Sequence, residues 1–204
     1  MSKLTIGMVD YGAGNHASLR QCLHGLDMRC RVSDERAVLE ACDVVVLPGV
    51  GAFQLAMQAL QAKALDRFLH EQEARRKPIL GICLGMQLVA EASYENGLAA
   101  GLGLIPGQIV PLGPREWHIG WNTVDVTTDD PLFAHAADQT FYFNHAYGYQ
   151  GPPDFQACRT TTQRGTFASV IRRERVVGLQ FHPEKSQTAG HALLKQIIIG
   201  LANG

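Results

Sequence analysis

A cysteine between two glycines is the most chemically suggestive feature of this sequence. Cys83 lies within Gly81-Ile82-Cys83-Leu84-Gly85, where an apolar run ends and a helical pattern begins. The spacing Gly-x-Cys-x-Gly is that of a nucleophile elbow, in which small neighbours let the chain bend sharply and project the nucleophile above a sheet. Unpaired N–H groups at the start of the following helix would stabilise a thiolate. Because a lone cysteine is more often a small buried hydrophobic residue, this prediction requires a base elsewhere in the chain.

One of the eight histidines has the surroundings of such a base. Residues 176–181 are predicted to form a strand, and His182-Pro183-Glu184 follows at its end. Pro183 fixes the local backbone, and an extended chain would place the side chains of His182 and Glu184 on the same side. Glu184 would then hold His182 in one tautomer while His182 transfers protons, as in a triad with cysteine in place of serine. The alternative is that both residues only cap the helix that follows.

Composition and length narrow the class of protein. The 204 residues predict a single domain over 1–204 with a substantial core. With 18 basic and 19 acidic residues, the formal charge of −1 gives no reason to expect nucleic acid or membrane as a partner. Five widely spaced cysteines without a Cys-x-x-Cys pair indicate reduced thiols in a cytoplasmic protein, and no metal or cofactor is predicted. The sequence also has no predicted signal peptide and no apolar run of membrane-spanning length.

The first half of the chain alternates between strand and helix patterns. The predicted strands are residues 4–9, 28–32, 43–47 and 78–82, and the predicted helices are 19–26, one capped near Ser33 or Asp34, 53–61 and 65–76. The run 43–47 is uniformly apolar, as expected for a strand buried on both faces. This order predicts an α/β fold with a doubly wound, mostly parallel central sheet, in which ligand-binding loops lie beyond the carboxyl ends of the strands.

The second half has short alternating runs between glycines and prolines. After a helix over 86–91, these runs predict antiparallel strands appended to the parallel core, and a last helix covers 187–202. The predicted strands are residues 108–110, 121–126, 140–143, 167–171 and 176–181.

Three segments of the chain resemble the motifs of a known family. Residues 81–87, residues 182–186 and the turn Pro48-Gly49-Val50-Gly51 are similar to the nucleophile, base and oxyanion motifs of class I glutamine amidotransferases. Within that family, four segments are similar to those of the glutaminase subunits of imidazole glycerol phosphate synthases. These are residues 10–15, 118–122, 142–145 and 185–186. The resemblance spans essentially the whole chain.

The resemblance implies a reaction and a role for individual residues. Cys83 would attack the side-chain amide of L-glutamine, His182 would protonate the departing ammonia, and water would hydrolyse the resulting thioester. The oxyanion would be held by backbone N–H groups of Leu84 and of Val50 or Gly51, in a turn whose glycines permit a peptide reorientation. The residues implied in glutamine binding are Gly49, Gln87, Asn144, His145 and Ala146.

A partner protein is implied as well. Members of this family form a heterodimer with a (β/α)8-barrel cyclase of histidine biosynthesis and pass ammonia to it through a gate. The residues implied at the interface or gate are Ala13, Asn15, Trp121, Tyr142 and Lys185. Two residues depart from the family pattern in these partner-facing segments, Trp117 in place of a proline and Asn144 in place of an apolar residue. An ammonia-dependent sugar amidotransferase therefore stays open as an alternative partner.

Other classes of function have weaker support. Residues 12–17 fit the loose dinucleotide-binding pattern Gly-x-Gly-x-x-Ala, with Asp34 and Glu35 near the expected position of a ribose ligand. The bulky Tyr11 and Asn15 favour a partner-facing loop there instead. A non-catalytic scaffold would need no triad. A cysteine hydrolase acting alone on γ-glutamyl compounds would be active without any partner.

Overall fold

The computed structural model describes residues 3–14, 16–113, 117–163 and 165–204. In its first half, strands and helices alternate along the chain. The strands are β1 (Thr5–Val9), β2 (Arg29–Ser33), β3 (Val44–Leu47) and β4 (Ile79–Ile82), and the helices are α1 (His16–Gly25), α2 (Arg36–Glu40), α3 (Phe53–Ala62), α4 (Leu65–Ala74) and α5 (Leu84–Leu88).

The second half adds short strands and a long final helix. The strands are β5 (Ala92–Ser93), β6 (Ala99–Ala100), β7 (Gln108–Pro111), β8 (His118–Thr123), β9 (Asp125–Val126), β10 (Thr140–His145), β11 (Tyr147–Gln150), β12 (Gln156–Thr162), β13 (Gly165–Arg173) and β14 (Val176–Leu179). Helix α6 (Gln187–Asn203) closes the chain, and 3₁₀ turns cover Pro131–Ala136, Pro153–Phe155 and Pro183–Lys185.

One mixed sheet organises the molecule. Its strand order begins β2-β1-β3-β4-β14, and all of these neighbours pair in parallel. The sheet then continues through β13, β11 and β7 to β5 and β6, while β8 and β10 form a separate antiparallel ribbon. Because β3, β4 and β14 are parallel neighbours, their carboxyl ends lie side by side at one edge of the sheet.

Helices cover both faces of the parallel core. Along β3, Val44 and Val46 pack with the apolar residues of α1 and α6, whereas Val45 and Leu47 pack with those of α3, α4 and α5. Every residue of β3, β4 and β14 is buried. The doubly wound α/β fold predicted from the sequence, with a parallel core and appended antiparallel strands, is therefore confirmed.

Some predicted elements need correction. Residues 176–181 were expected to be antiparallel to the core, but β14 is parallel to β4 and antiparallel only to β13. The helix expected over 86–91 runs instead from Leu84 to Leu88, so it begins directly after the cysteine. Helix α2 starts at Arg36 with Glu35 as its N-cap residue rather than Ser33 or Asp34. The helix lies where the sequence pattern predicts it. Ser33 is not its N-cap residue, because it ends strand β2 and its Oγ accepts a hydrogen bond from the Glu35 N–H.

Candidate active site

The turn between β4 and α5 presents Cys83 at the carboxyl edge of the sheet. Cys83 has φ 53° and ψ −109°, a backbone conformation that a residue with a Cβ rarely adopts. The flanking glycines permit close contacts between backbone segments. A Cβ on Gly85 would lie 1.8 Å from the Leu47 carbonyl oxygen, and one on Gly81 would lie 2.5 Å from the Gly85 carbonyl oxygen. The predicted elbow geometry is therefore present, and Cys83 caps the N-terminus of α5.

His182 reaches Cys83 from the neighbouring strand. It lies three residues past the end of β14, and the Cys83 N–H donates to the Leu179 carbonyl oxygen at 2.7 Å, which ties the two strand ends together. The imidazole lines the same cavity as Cys83, and its Nδ1 lies 2.8 Å from Glu184 Oε1. Because Nδ1 is engaged by the carboxylate, Nε2 is the nitrogen left to exchange a proton at the sulfur.

The local backbone that joins His182 to Glu184 differs from the predicted one. An extended chain was expected, but Pro183–Lys185 form a 3₁₀ turn. The Lys185 N–H and the Ser186 hydroxyl both donate to the His182 carbonyl oxygen, at 3.0 and 2.6 Å. The turn curls Glu184 back toward the imidazole, so the predicted contact forms through a different conformation.

Electrostatics favour the charged form of His182. Burial lowers the pKa of the imidazole, but hydrogen bonds to Cys83 and Glu184, together with the charges of these groups, outweigh burial and raise the pKa to about 9. Both the His182 and Glu184 side chains are buried. At neutral pH the arrangement therefore supports an imidazolium between two acidic groups, which is a setting for an activated cysteine.

Burial favours the neutral thiol form of the other four cysteines. Burial raises the pKa of Cys22 and Cys158 to about 12 and that of Cys30 to about 11, and it also raises the pKa of Cys42. These thiols stay protonated at neutral pH. Cys83 is thus distinguished from them by its histidine partner.

The turn that follows β3 lies against the elbow. A Cβ on Gly49 would lie 2.8 Å from Leu84 Cβ and 3.2 Å from the Gly85 nitrogen, so the turn and the start of α5 are in close contact. Gly51 has φ +103°, which favours glycine, and Val50 is 42% exposed. The segment predicted to supply an oxyanion donor therefore combines a buried, constrained start with an exposed, less constrained end.

A cavity of about 630 Å³ opens above Cys83, a size suited to a small ligand. It brings together most of the predicted site residues. These are Val50, Gly51, Cys83, Leu84, Gln87, Asn144, His145, Ala146, His182 and Lys185. Gly49, predicted to bind glutamine, is instead buried beneath the turn against Tyr11 and Leu84. Sequence reasoning missed Glu95 and Tyr147, which also line the cavity and belong to no recognised motif.

Gln87 is oriented by bonds on its amide nitrogen. Nε2 donates to the Tyr147 carbonyl oxygen at 3.0 Å and to Gln180 Oε1 at 3.2 Å. Both amide hydrogens are then used, which leaves Oε1 as the acceptor available to a ligand in the cavity. Gln87 is buried rather than an ordinary exposed helix residue, in keeping with its predicted place in the site.

His145 belongs to a chain of hydrogen bonds and not to the triad. Its Nδ1 lies 2.8 Å from the Tyr147 carbonyl oxygen and therefore carries the proton, so Nε2 accepts from His118 Nδ1 at 3.0 Å. Asn122 Nδ2 lies 3.4 Å from the remaining nitrogen of His118. Burial lowers the pKa of His145 to about 4 and also lowers that of His118. A neutral imidazole with both nitrogens engaged holds the cavity wall in place and is poorly suited as the base.

The two departures from the family pattern lie in contact with each other. Trp117 Nε1 donates to Asn144 Oδ1 at 2.7 Å, and the Asn144 carbonyl oxygen lies 3.9 Å from Cys83 Sγ. The Asn144 amide gives the Trp117 indole N–H an acceptor that an apolar residue at position 144 would not provide. The two residues thus form one matched pair on the cavity wall.

Three of the predicted interface residues form a continuous contact. The rings of Trp121 and Tyr142 are 6.0 Å apart, and Lys185 Nζ lies 5.9 Å from the centre of the Tyr142 ring. Tyr142 is in turn 6.5 Å from the His182 ring, whereas Trp121 is 48% exposed. Ala13 lies on a separate loop after β1, and Asn15 lies outside the described residues. These contacts connect an exposed surface to the candidate base.

The structure does not support a ribose-binding role for Asp34 or a surface position for Tyr11. Asp34, considered as a ribose ligand, forms an ion pair with Lys63 at 2.8 Å. Tyr11, expected on a partner-facing surface, points inward and is buried. Over the described ranges, no group of three or more histidine, cysteine, aspartate and glutamate side chains is arranged to hold a metal ion. None of the helices described is long and apolar enough to cross a membrane.

Comparison with known families agrees with this geometry. The model of the glutamine amidotransferase class-I family matches residues 7–201. The chain belongs to the class I glutamine amidotransferases. This assignment confirms the prediction of a glutamine amidotransferase enzyme, and it covers the cysteine elbow, the turn after β3 and the histidine segment together.

Curated relatives within this family share one name. The imidazole glycerol phosphate synthase subunit HisH of Symbiobacterium thermophilum is 43% identical and covers 93% of this chain and 91% of its own. That of Bacillus velezensis is 41% identical, with 94% of each chain covered. These relatives confirm the resemblance to the imidazole glycerol phosphate synthase subunits that the sequence motifs predicted.

Solved class I structures share the fold. A glutamine amidotransferase from Thermotoga maritima has a TM-score of 0.73 at 16% identity, covering 100% of each chain. PurLQS from Thermotoga maritima has a TM-score of 0.76 at 18% identity, covering 99% of each chain. At these identities the likeness concerns the architecture alone, which is the one described above.

Proposed function

We propose that this protein hydrolyses L-glutamine to glutamate and ammonia and delivers the ammonia to a synthase subunit of histidine biosynthesis. The observation that carries the proposal is the buried array of Cys83, His182 and Glu184 at the end of two parallel neighbouring strands. An activated nucleophile, a base beside it and a carboxylate that orients the base are the groups that amide hydrolysis through a covalent intermediate needs.

The reaction follows from the positions of these groups. The Cys83 thiolate attacks the side-chain carbonyl carbon of glutamine, a C–S bond forms, and the carbonyl electrons move to the oxygen. When this tetrahedral oxyanion collapses, the C–N bond breaks and His182 supplies the proton that releases ammonia. Neutral His182 then takes a proton from water, the hydroxide attacks the thioester, and the C–S bond breaks to return the thiolate and glutamate.

The oxyanion requires donors beside Cys83. The Leu84 N–H at the start of α5 and an N–H of the Val50–Gly51 turn are the proposed donors, because both segments line the cavity beside the sulfur. Removal of one such donor in other enzymes slows the reaction by about 10²–10³-fold. The orientation of this exposed turn is therefore expected to have a large effect on turnover.

The cavity offers complementary groups for the amino-acid end of glutamine. Glu95 and Lys185, of opposite charge, both line it, and Gln87 Oε1 is available as an acceptor. One Glu95 oxygen accepts from the Phe53 N–H at 2.6 Å, which fixes the carboxylate. We assign Glu95 and Gln87 to the α-ammonium group of the substrate, and Lys185, a basic residue of the cavity lining, to its carboxylate.

The partner is proposed from the relatives and from the exposed surface. The relatives are named as subunits of imidazole glycerol phosphate synthase. We propose a (β/α)8-barrel cyclase as the subunit that completes this enzyme. The exposed residues Trp117, Ile119 and Trp121 give this protein an apolar surface beside the Tyr142–Lys185 contact. We place the barrel on this surface, with ammonia leaving past Tyr142. The five free cysteines fit a reducing, cytoplasmic location.

The test is glutamate release by three preparations: the isolated chain, its complex with the cyclase, and the complex with the acceptor nucleotide bound. We expect slow hydrolysis by the isolated chain, a large increase in the liganded complex, and none in the Cys83→Ala complex. Full activity of the isolated chain would indicate a hydrolase that acts alone. Co-purification with a sugar amidotransferase instead of a barrel cyclase would contradict the assigned partner.

A further inference from the structure

A buried tyrosine outside the triad holds the start of the oxyanion turn. Tyr11, in the loop after β1, is only 2% exposed, and its hydroxyl donates to the Pro48 carbonyl oxygen at 2.8 Å. Pro48 directly follows β3 and opens the turn that contains Val50 and Gly51. Because the bond joins residues 37 positions apart in the chain, it links two loops at the carboxyl edge of the sheet.

This bond fixes the orientation of a whole peptide unit. The Pro48 carbonyl and the Gly49 N–H belong to one planar peptide, so a donor that holds the oxygen also sets the direction of the N–H. Gly49 has no space to move sideways. A Cβ at that position would lie 2.6 Å from the Tyr11 hydroxyl and 2.8 Å from Leu84 Cβ. Gly49 is thus held between the phenol on one side and the cysteine elbow on the other.

Hydrogen bonds also hold the backbone next to Tyr11 in place. The carbonyl oxygen of the preceding residue, Asp10, accepts from Lys63 Nζ at 3.0 Å, and the Asp10 N–H donates to the Ser33 carbonyl oxygen at 2.9 Å. The Asp10 carboxylate accepts from the Gly12 N–H at 3.1 Å. Burial, with the charge of Cys83, raises the pKa of the Tyr11 phenol, so it remains a hydrogen-bond donor throughout the working pH range.

We propose that Tyr11 is a positioning residue for the oxyanion hole. Its hydroxyl fixes the Pro48–Gly49 peptide, so reorientation of the turn is confined to Val50 and Gly51, and a donor N–H can swing into the space beside Cys83 from a fixed starting point. The inference rests on the proposed glutaminase function, because an oxyanion forms only in that reaction. Tyr11 acts through the turn and does not touch the substrate cavity.

The experiment compares two tyrosine-to-phenylalanine variants in the liganded complex with the cyclase. Tyr11→Phe removes only the hydroxyl. Tyr149→Phe is a matched control, because Tyr149 is also buried and its hydroxyl also donates to a proline carbonyl oxygen, that of Pro106, away from the cavity lining. Turnover is expressed per Cys83 labelled by a glutamine-like diazoketone, so that any unfolded fraction is not counted.

We expect Tyr11→Phe to lower kcat by about tenfold, the equivalent of one lost hydrogen bond that supports the transition state, and to leave KM for glutamine within about twofold. The rate at which iodoacetamide alkylates Cys83 should stay unchanged, because alkylation forms no oxyanion. Tyr149→Phe should retain the parental kcat.

Two results would overturn the inference. One is a parental kcat in Tyr11→Phe, and the other is an equal loss of kcat in both variants, which would indicate a general cost of removing a buried hydroxyl. Failure of the proposed function is a separate result, since the unmodified complex would then release no glutamate.

Discussion

The carboxylate of Glu184 is expected to set the pH range in which Cys83 is reactive. Its Oε1 lies 2.8 Å from His182 Nδ1, and it helps to raise the pKa of His182 to about 9. Glu184→Gln keeps an oxygen that can accept from Nδ1–H but removes the negative charge. The variant therefore tests the charge and leaves the hydrogen bond in place.

The magnitude follows from the kind of bond that is lost. Hydrogen bonds to charged groups contribute about 1.5–3 kcal/mol and neutral ones about 1 kcal/mol, so removing the charge costs roughly 0.5–2 kcal/mol. At 1.36 kcal/mol per pKa unit, the pKa of His182 should fall by about 1. The imidazolium beside Cys83 is then less stable, so Cys83 should be alkylated about tenfold more slowly near neutral pH.

Alkylation of Cys83 measures this directly. Iodoacetamide is applied between pH 5 and pH 10, and each cysteine peptide is quantified by mass spectrometry. Because burial raises the pKa of Cys22 and Cys158 to about 12, label at neutral pH should be confined to Cys83. The control is Glu174→Gln, an exposed residue that pairs with Arg76 at 3.0 Å, and its profile should match that of the unmodified protein.

Two outcomes would refute this reasoning. An alkylation profile of Glu184→Gln that coincides with the unmodified one would show that the carboxylate charge does not act on the cysteine. Preferential labelling of Cys22 at neutral pH would show that Cys83 is not the activated thiol.

Three further predictions concern the site and its support. His182→Ala should lower kcat by about 10²–10⁴-fold and His145→Ala by much less, as measured by glutamate release, and the reverse order would identify the wrong histidine as base. Gly85→Ala should destabilise the fold by about 3 kcal/mol or more in urea unfolding, because the added Cβ would lie 1.8 Å from the Leu47 carbonyl oxygen. Gly25→Ala is the control, because its Cβ would have no atom within 4 Å and the fold should keep its stability. Folding lowers the pKa of His145 from 6.5 to about 4, so between these pH values the unfolded chain binds more protons than the folded chain. The stability that comes from neutral His145 is therefore fully present above pH 6.5. As pH falls to about 4, up to about 3 kcal/mol should be lost, and His145→Gln should lack this loss in urea unfolding at both pH values.

The parallel core and the elbow were predictable because each has a local signature. A uniformly apolar run such as 43–47 indicates a strand buried on both faces, and glycines on either side of Cys83 indicate a sharp turn. Both signatures are short-range, and the structure places the corresponding strands β3 and β4 next to each other. The pairing of β14 with β4 was not predictable in the same way. Its partner lies almost 100 residues away, and nothing in a four-residue apolar run distinguishes a parallel neighbour from an antiparallel one.

The cavity wall shows a second limit of single-sequence reasoning. Trp117 and Asn144 each look anomalous when compared separately with the family pattern, and this left the partner open to doubt. In the fold their side chains form a hydrogen bond at 2.7 Å, so neither departure is isolated. Likewise Glu95 carries no motif, and only the fold places its carboxylate beside the N-terminus of α3 and in the cavity. Such pairings between distant segments become visible only once the chain is folded.

The contrast between the paired central strands and the exposed turn at Val50 indicates where a partner protein can act. The strands that carry Cys83, His182 and the oxyanion turn are hydrogen-bonded neighbours in fixed register, with Leu47 opposite Gly81 and Leu179 opposite Ile82. Moving the triad would therefore require breaking hydrogen bonds of the central sheet, which belongs to the part of a fold that opens least readily. The exposed end of the turn at Val50 has no such restraint. A partner that controls glutamine hydrolysis is thus expected to shift the orientation of this turn, between the Tyr11 anchor and Cys83, and to leave the triad unchanged.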